Sequence, residues 1–204
     1  DYQPSRGLGD VYKRQQRAGA ALASGSPFDA LPTDPQFGNY AQAMQEVGTT
    51  PWLGFIDALS NSIVVTVLVV IGTILSSSLV GTAFARIRFR GRQPTFLLML
   101  ATMMLPAQVT MIPLFILFRS LGWVDTLLPL IVPAFFGSAF HIFMYRQFIA
   151  QLPEALFEAA RLDGCGWLET WWRIIMPLTR PVAAITAVFT FIFTWNDFML
   201  PLIY

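Results

Sequence analysis

Charge is scarce in this sequence. Of 204 residues, 12% are charged and 55% are hydrophobic, and the mean hydropathy is +0.57. A soluble domain carries about twice that charged fraction. Cysteine, histidine and lysine each occur once, at Cys165, His141 and Lys13. A single cysteine excludes a disulfide framework and a thiolate cluster. One histidine leaves metal and acid–base chemistry few residues to draw on, and neither a metal-ligand cluster nor a nucleophile–base pair stands out. The net charge of +1 argues against a nucleic-acid surface, which would need a basic excess. There is no G-x-x-x-x-G-K-[ST] loop to hold nucleotide phosphates.

What is present is a set of long uncharged runs. Residues 58–85 and 93–118 contain no charge at all. Residues 126–145 contain His141 and the Tyr145 phenol as their ionisable groups, and 181–204 contain one charge, Asp197. A helix needs about 20 apolar residues to cross the hydrocarbon core. The runs therefore predict four membrane-spanning helices, making this an all-α membrane protein with a polytopic helical bundle. Pro106, Pro113, Pro129 and Pro133 interrupt two of them. Proline removes a backbone donor and kinks a helix, which is tolerated where neighbouring helices or a wet path satisfy the freed carbonyl. That favours a transport bundle over a simple anchor, although any one proline can serve packing alone.

Arginine sets the orientation. Positive charge collects on the cytoplasmic side of short loops. Arg86, Arg88, Arg90 and Arg92 follow the first run, and Arg146, Arg161, Arg173 and Arg180 follow the third. Between the second and third runs Arg119 is offset by Asp125, and residues 24–57 carry Asp29, Asp34, Glu46 and Asp57 with no Lys or Arg. Residues 86–93 and 146–180 are expected inside, and 24–57 and 119–126 outside.

Three parts follow. Residues 1–17 are basic and polar, neither signal peptide nor span. They resemble translated adaptor sequence and are expected to be foreign to the fold. Residues 18–57 form an extracytoplasmic segment. Residues 58–204 form the membrane domain, with a cytoplasmic loop at 149–180.

That loop is charged and glycine-broken. Pro153 and Glu154 suit a helix start, and Gly164 suits a left-handed stop. A helix is predicted over 153–163, where Glu158 and Arg161 can pair and Ala155, Ala159 and Ala160 leave a low surface for another protein. A second short helix is expected after Gly166, carrying Trp167, Trp171 and Trp172. Pro177 and Pro181 should end it and open the next span. Physics alone leaves two descriptions standing: a helical knob for docking, or an amphipathic loop on the membrane surface.

The order Glu158-Ala159-Ala160, three residues, Gly164, nine residues, Ile174, one residue, Met176-Pro177 resembles the EAA loop of permease subunits in binding-protein-dependent ABC importers. Met176 stands where that family has leucine. The segments "ARIRFRGR", "TMMLPAQVTMIPLF", "RQFIAQLPEALFEAARLDG" and "WNDFMLPL" look like the carbohydrate-uptake branch, the maltose and glycerol-3-phosphate type. The likeness runs from about residue 27 to the last residue. It implies the type I ABC importer permease fold of six spans, with spans two to five present here, the first missing and the sixth cut off. It also implies that Glu158, Ala159, Ala160, Asp163, Gly164, Ile174 and Pro177 belong to an ATPase-coupling loop. The implied partners are two cytoplasmic ATPase subunits, a second permease subunit of different sequence and an extracytoplasmic solute-binding protein, in the lipid of a bacterial or archaeal inner membrane. ATP and magnesium would be used by the ATPase chains, with no cofactor or metal bound here and no catalysis by this chain.

Asn196 and Asp197 are candidates for the translocation path, because an ionisable group in a membrane helix is a functional hypothesis by default. Asp197 beside Trp195 also suits the aromatic belt at the interface. His141 reads better as a hydrogen-bonded packing residue than as a proton relay. Cys165 reads as a small residue without a redox role. A proton-coupled carrier or channel using His141 and Asp197 is the competing function, and it leaves the EAA spacing unexplained.

Overall fold

The computed structural model describes residues 51–204. The expectations for residues 1–17 and for 18–50 lie outside the described residues. Among the described residues every regular element is helical.

The first apolar run is one helix, α1 (Pro51–Arg86), and its stretch Ile56–Arg86 is long and apolar enough to cross a membrane. It lacks proline after its first residue, so nothing interrupts its hydrogen-bond ladder. The second run is helical but broken. It divides into α2 (Arg92–Thr102) and α3 (Ala107–Ser120). Pro106 adopts an extended backbone at the break, and Met103, Met104 and Leu105 donate to Leu100, Ala101 and Thr102, a tight 3₁₀-like winding. Proline removes one donor and disfavours helical geometry in the residue before it. Pro113 is absorbed inside α3.

The third run, Leu128–Ala150, is again long and apolar enough to span. It comprises α4 (Leu128–Ile131), a 3₁₀ turn (Val132–Phe136), a break at Gly137, and α5 (Ala139–Ala150). The loop expected to be cytoplasmic forms α6 (Glu154–Leu162), α7 (Trp167–Thr170), a π-helical turn (Trp171–Ile175) and α8 (Met176–Leu178). The fourth run is α9 (Arg180–Trp195) followed by α10 (Met199–Ile203). At 16 residues α9 is short for a span, and Trp167–Leu178 meets it at a bend of 78°. Where four spans were expected, two runs, the first and the third, are long and apolar enough to cross a membrane, and three if the bent Trp167–Leu178 and Arg180–Trp195 pair counts as one span; α1 alone is uninterrupted.

Small residues set the packing. A Cβ added at Gly81 would lie 2.6 Å from the Tyr145 Cβ, so α1 and α5 touch at backbone range. Ser77 and Ser78 beside this contact are fully buried. The Ser76 hydroxyl donates to the Ala134 carbonyl at 2.9 Å, and the Trp171 indole donates to Ser78 Oγ at 3.3 Å. Helices in lipid associate through such close contacts and hydrogen bonds, because hydrophobic burial offers little between apolar surfaces. Tyr145, Ile149, Phe157, Ile175 and Val182 form the core that joins α5, the loop and α9, with Ala85 of α1 packed against it.

Candidate functional site

The 149–180 loop turns out of α5 at its end. Gln151, Leu152 and Pro153 turn the chain into α6, with Pro153 at its N-cap and Glu154 in the first turn. Phe157 and Ala160 lie three apart on one face of α6, and both are buried, at 1% and 2% exposure. Glu158, Ala159 and Asp163 lie exposed on the remainder. Leu162 is 89% exposed and Leu168 on α7 is 68% exposed.

Gly164 stops α6. Its φ is +77°, and a Cβ placed there would meet nothing within 4 Å. The Cys165 amide donates to the Ala160 carbonyl at 2.9 Å, closing the helix end. Ile174 is half-buried in the π-helical turn, and Pro177 is exposed. Trp167 and Trp172 are exposed, whereas Trp171 turns inward to Ser78.

Two sequence expectations are corrected. Ala160 does not share the open surface of Ala159, because one step around a helix is 100° and Phe157 already fixes the inner face. Glu158 and Arg161 are not ion-paired. The Arg161 guanidinium lies 5.3 Å from the Trp167 ring centroid instead, and the loop's own ion pair joins Arg173 to Glu169 at 2.9 Å.

One residue of consequence escaped the sequence. Arg86, read above as a topology charge, ends α1 beneath the loop. Its guanidinium pairs with Glu154 at 2.6 Å and donates to the carbonyls of Ile149, at 2.8 Å, and Leu152. It also lies 4.2 Å from the Phe157 ring centroid. Glu154 is 68 positions away, so no local spacing could reveal the pair.

Asn196 and Asp197 are bound locally. The Asn196 amide donates to the Ile192 carbonyl at 2.7 Å. Asp197 Oδ1 accepts from the Met199 and Leu200 amides at 3.1 and 3.2 Å, capping α10. Asp197 also lines a cavity of about 590 Å3 with Asn61, Asp125, Thr126 and Trp195, while Asn196 is not in its wall. His141, 8% exposed, lines a different cavity with Thr73, Ser138 and Thr190. It packs edge-on against Phe140, but neither ring nitrogen has a hydrogen-bond partner among the described residues, contrary to expectation. The two ionisable residues of the competing function are therefore not brought together. Among the described residues no group of three metal-ligating side chains occurs.

Residues 69–204 match the family of binding-protein-dependent transport system inner membrane components. The chain belongs to this family. It is 37% identical over 143 residues to the arabinooligosaccharides transport system permease protein AraQ of Halalkalibacterium halodurans, covering 70% of this chain and 51% of that one. It is 36% identical over 145 residues to the sn-glycerol-3-phosphate transport system permease protein UgpE of Yersinia enterocolitica, covering 71% and 51%. The osmoprotective compounds uptake permease protein GgtD of Synechocystis is 33% identical over 168 residues, covering 82% and 54%. The chain thus spans about half the length of the curated relatives it matches. A bacterial ABC transporter involved in the import of the acidic polysaccharide alginate has a chain of the same fold. Its TM-score is 0.70 at 24% identity, over 98% of this chain and 75% of that one. The fold of this family member is that of an ABC importer permease.

Proposed function

We propose that this chain is a permease subunit of an ATP-driven importer for a sugar or sugar-like solute, and that its 149–180 loop docks on a cytoplasmic ATPase subunit. The supporting observation is the loop itself. A short helix stands on a buried Phe157–Ala160 face, stops at a left-handed glycine, and leaves Glu158, Ala159, Leu162, Asp163 and Leu168 open to a partner. The solute class rests on the names of the relatives.

The division of labour follows from what the chain carries. It has no phosphate-binding loop, so ATP and magnesium belong to two partner ATPase chains. A second permease subunit completes the pore, and an extracytoplasmic binding protein delivers the solute. The assembly sits in a bacterial or archaeal inner membrane, with the arginine-rich loops inside. Closure of the ATPase pair displaces the loops, and the helices rock between inward-open and outward-open states. Such coupling needs a rigid contact joining two discrete arrangements. A tagged chain should co-purify with an ATPase subunit, and vesicles holding the complex should take up labelled oligosaccharide or glycerol 3-phosphate only with ATP. Uptake driven by a proton gradient without ATPase would establish the secondary-carrier function instead.

A further inference from the structure

The α5–α6 connector is three residues long, Gln151 to Pro153. Its Leu152 packs against the core that holds Tyr145, Ile149 and Phe157, but apolar burial is non-directional and leaves the connector free to turn. Arg86 bridges it. One guanidinium holds a carbonyl at the end of α5, a carbonyl within the connector, the carboxylate in the first turn of α6, and the face of Phe157 in α6. The Arg86 side chain is 11% exposed, so its carbonyl and ring contacts are only weakly screened by water, whereas Glu154 is 59% exposed and its ion pair is the most screened of them. Arginine is suited to this role, since its planar fork presents several donors in fixed directions and can stack on an aromatic ring.

The backbone carrying Arg86 extends the effect. α1 is a continuous helix of 36 residues, about 54 Å at 1.5 Å per residue. Its cytoplasmic end holds Arg86. Toward its other end Ala58, Asn61, Ser62, Val65 and Thr66 form one wall of the cavity that also contains Asp125 and Asp197. Between the two, Gly81 locks α1 to α5 at backbone contact.

We propose that Arg86 is a positioning residue that makes α6 move as one body with α1 and α5, so that displacement of the loop reaches the far cavity through α1. This rests on the proposed function. Without the bridge the connector absorbs the motion: the loop still docks and the ATPase still turns over, but the cavity wall stays put.

The test uses the assembled transporter with Cys165→Ala and Asn61→Cys. Asn61 is exposed in the cavity wall, and its labelling by an impermeant maleimide reports on that wall. In the parent, trapping the ATPase with ATP and vanadate should change the labelling rate. In Arg86→Gln, ATPase association and hydrolysis should persist while the labelling response disappears and uptake falls about tenfold. Arg86→Lys keeps the charge but cannot make the fork, and should lose part of the response. Glu154→Gln, which leaves the carbonyl contacts and the ring contact intact, should lose less. If Arg86→Gln fails to accumulate, the graded loss in Arg86→Lys and Glu154→Gln decides, and an undiminished response in both overturns the proposal. A nucleotide response in Arg86→Gln equal to the parent's overturns the positioning role alone. A parent that shows no nucleotide response overturns the transport function as well.

Discussion

Ala159 and Ala160 are neighbours in sequence with opposite surroundings. Ala160 is buried under the loop and Ala159 is open. Ala160→Trp should therefore overpack the Phe157 face at a cost of about 1–3 kcal/mol, visible as a lowered melting temperature in detergent. Ala159→Trp should melt like the parent and lose ATPase association. Equal melting of the two would contradict the inner and outer assignment. Gly164 is separable in the same way. Its φ of +77° is open to asparagine at small strain, and the space beside it is free. Gly164→Asn should fold normally. Gly164→Trp should insert in the membrane but lose co-purification of the ATPase. The sequence revealed Gly164 because a glycine after a helical stretch has a local meaning. It could not separate Ala159 from Ala160, because that needs the phase of α6, which Phe157 sets only once it meets Arg86 and Ile175.

At the scale of elements, helix contacts depend on absent side chains. Gly81→Ala places a carbon 2.6 Å from the Tyr145 Cβ, and α1 and α5 must then separate. A loss of about 1–3 kcal/mol is expected, read as a lower midpoint of thermal unfolding, whereas substitution at the open Gly122 should cost far less. Asp197 offers a second case. As the cap of α10 it should tolerate Asn, which accepts the same amides, while Asp197→Ala should lose about 1 kcal/mol. Full loss of uptake in a stably folded Asp197→Asn would instead assign its charge to the path. The apolar runs were legible as helices because composition alone reports them. Their breaks were only half legible: prolines mark where a ladder can fail, but Pro106 breaks the second run and Pro113 does not, since only Pro106 begins a new helix. The Arg86–Glu154 pair was invisible for another reason. Its partners meet only after α1 and α5 pack.

At the scale of the whole molecule, the proposed function puts the arginine-bearing segments 86–93 and 146–180 on the cytoplasmic side of the membrane. That orientation is tested by thiol labelling of intact cells. A cysteine at Ser120 or Gly122 should react with an impermeant reagent added outside, and one at Gln93 should not. The reverse pattern would place the loop on the wrong side for a cytoplasmic partner. The most direct measurement is contact itself. In inside-out vesicles containing the assembled transporter with Cys165→Ala, a cysteine at Leu162 should cross-link to an ATPase subunit through a short bifunctional reagent. One at Ile116, exposed on α3, should not. Cross-linking from Leu162 and Leu168 alone would establish the loop as the docking surface. No cross-link from either position, in a complex that still imports solute with ATP, would show that the ATPase grips this subunit elsewhere.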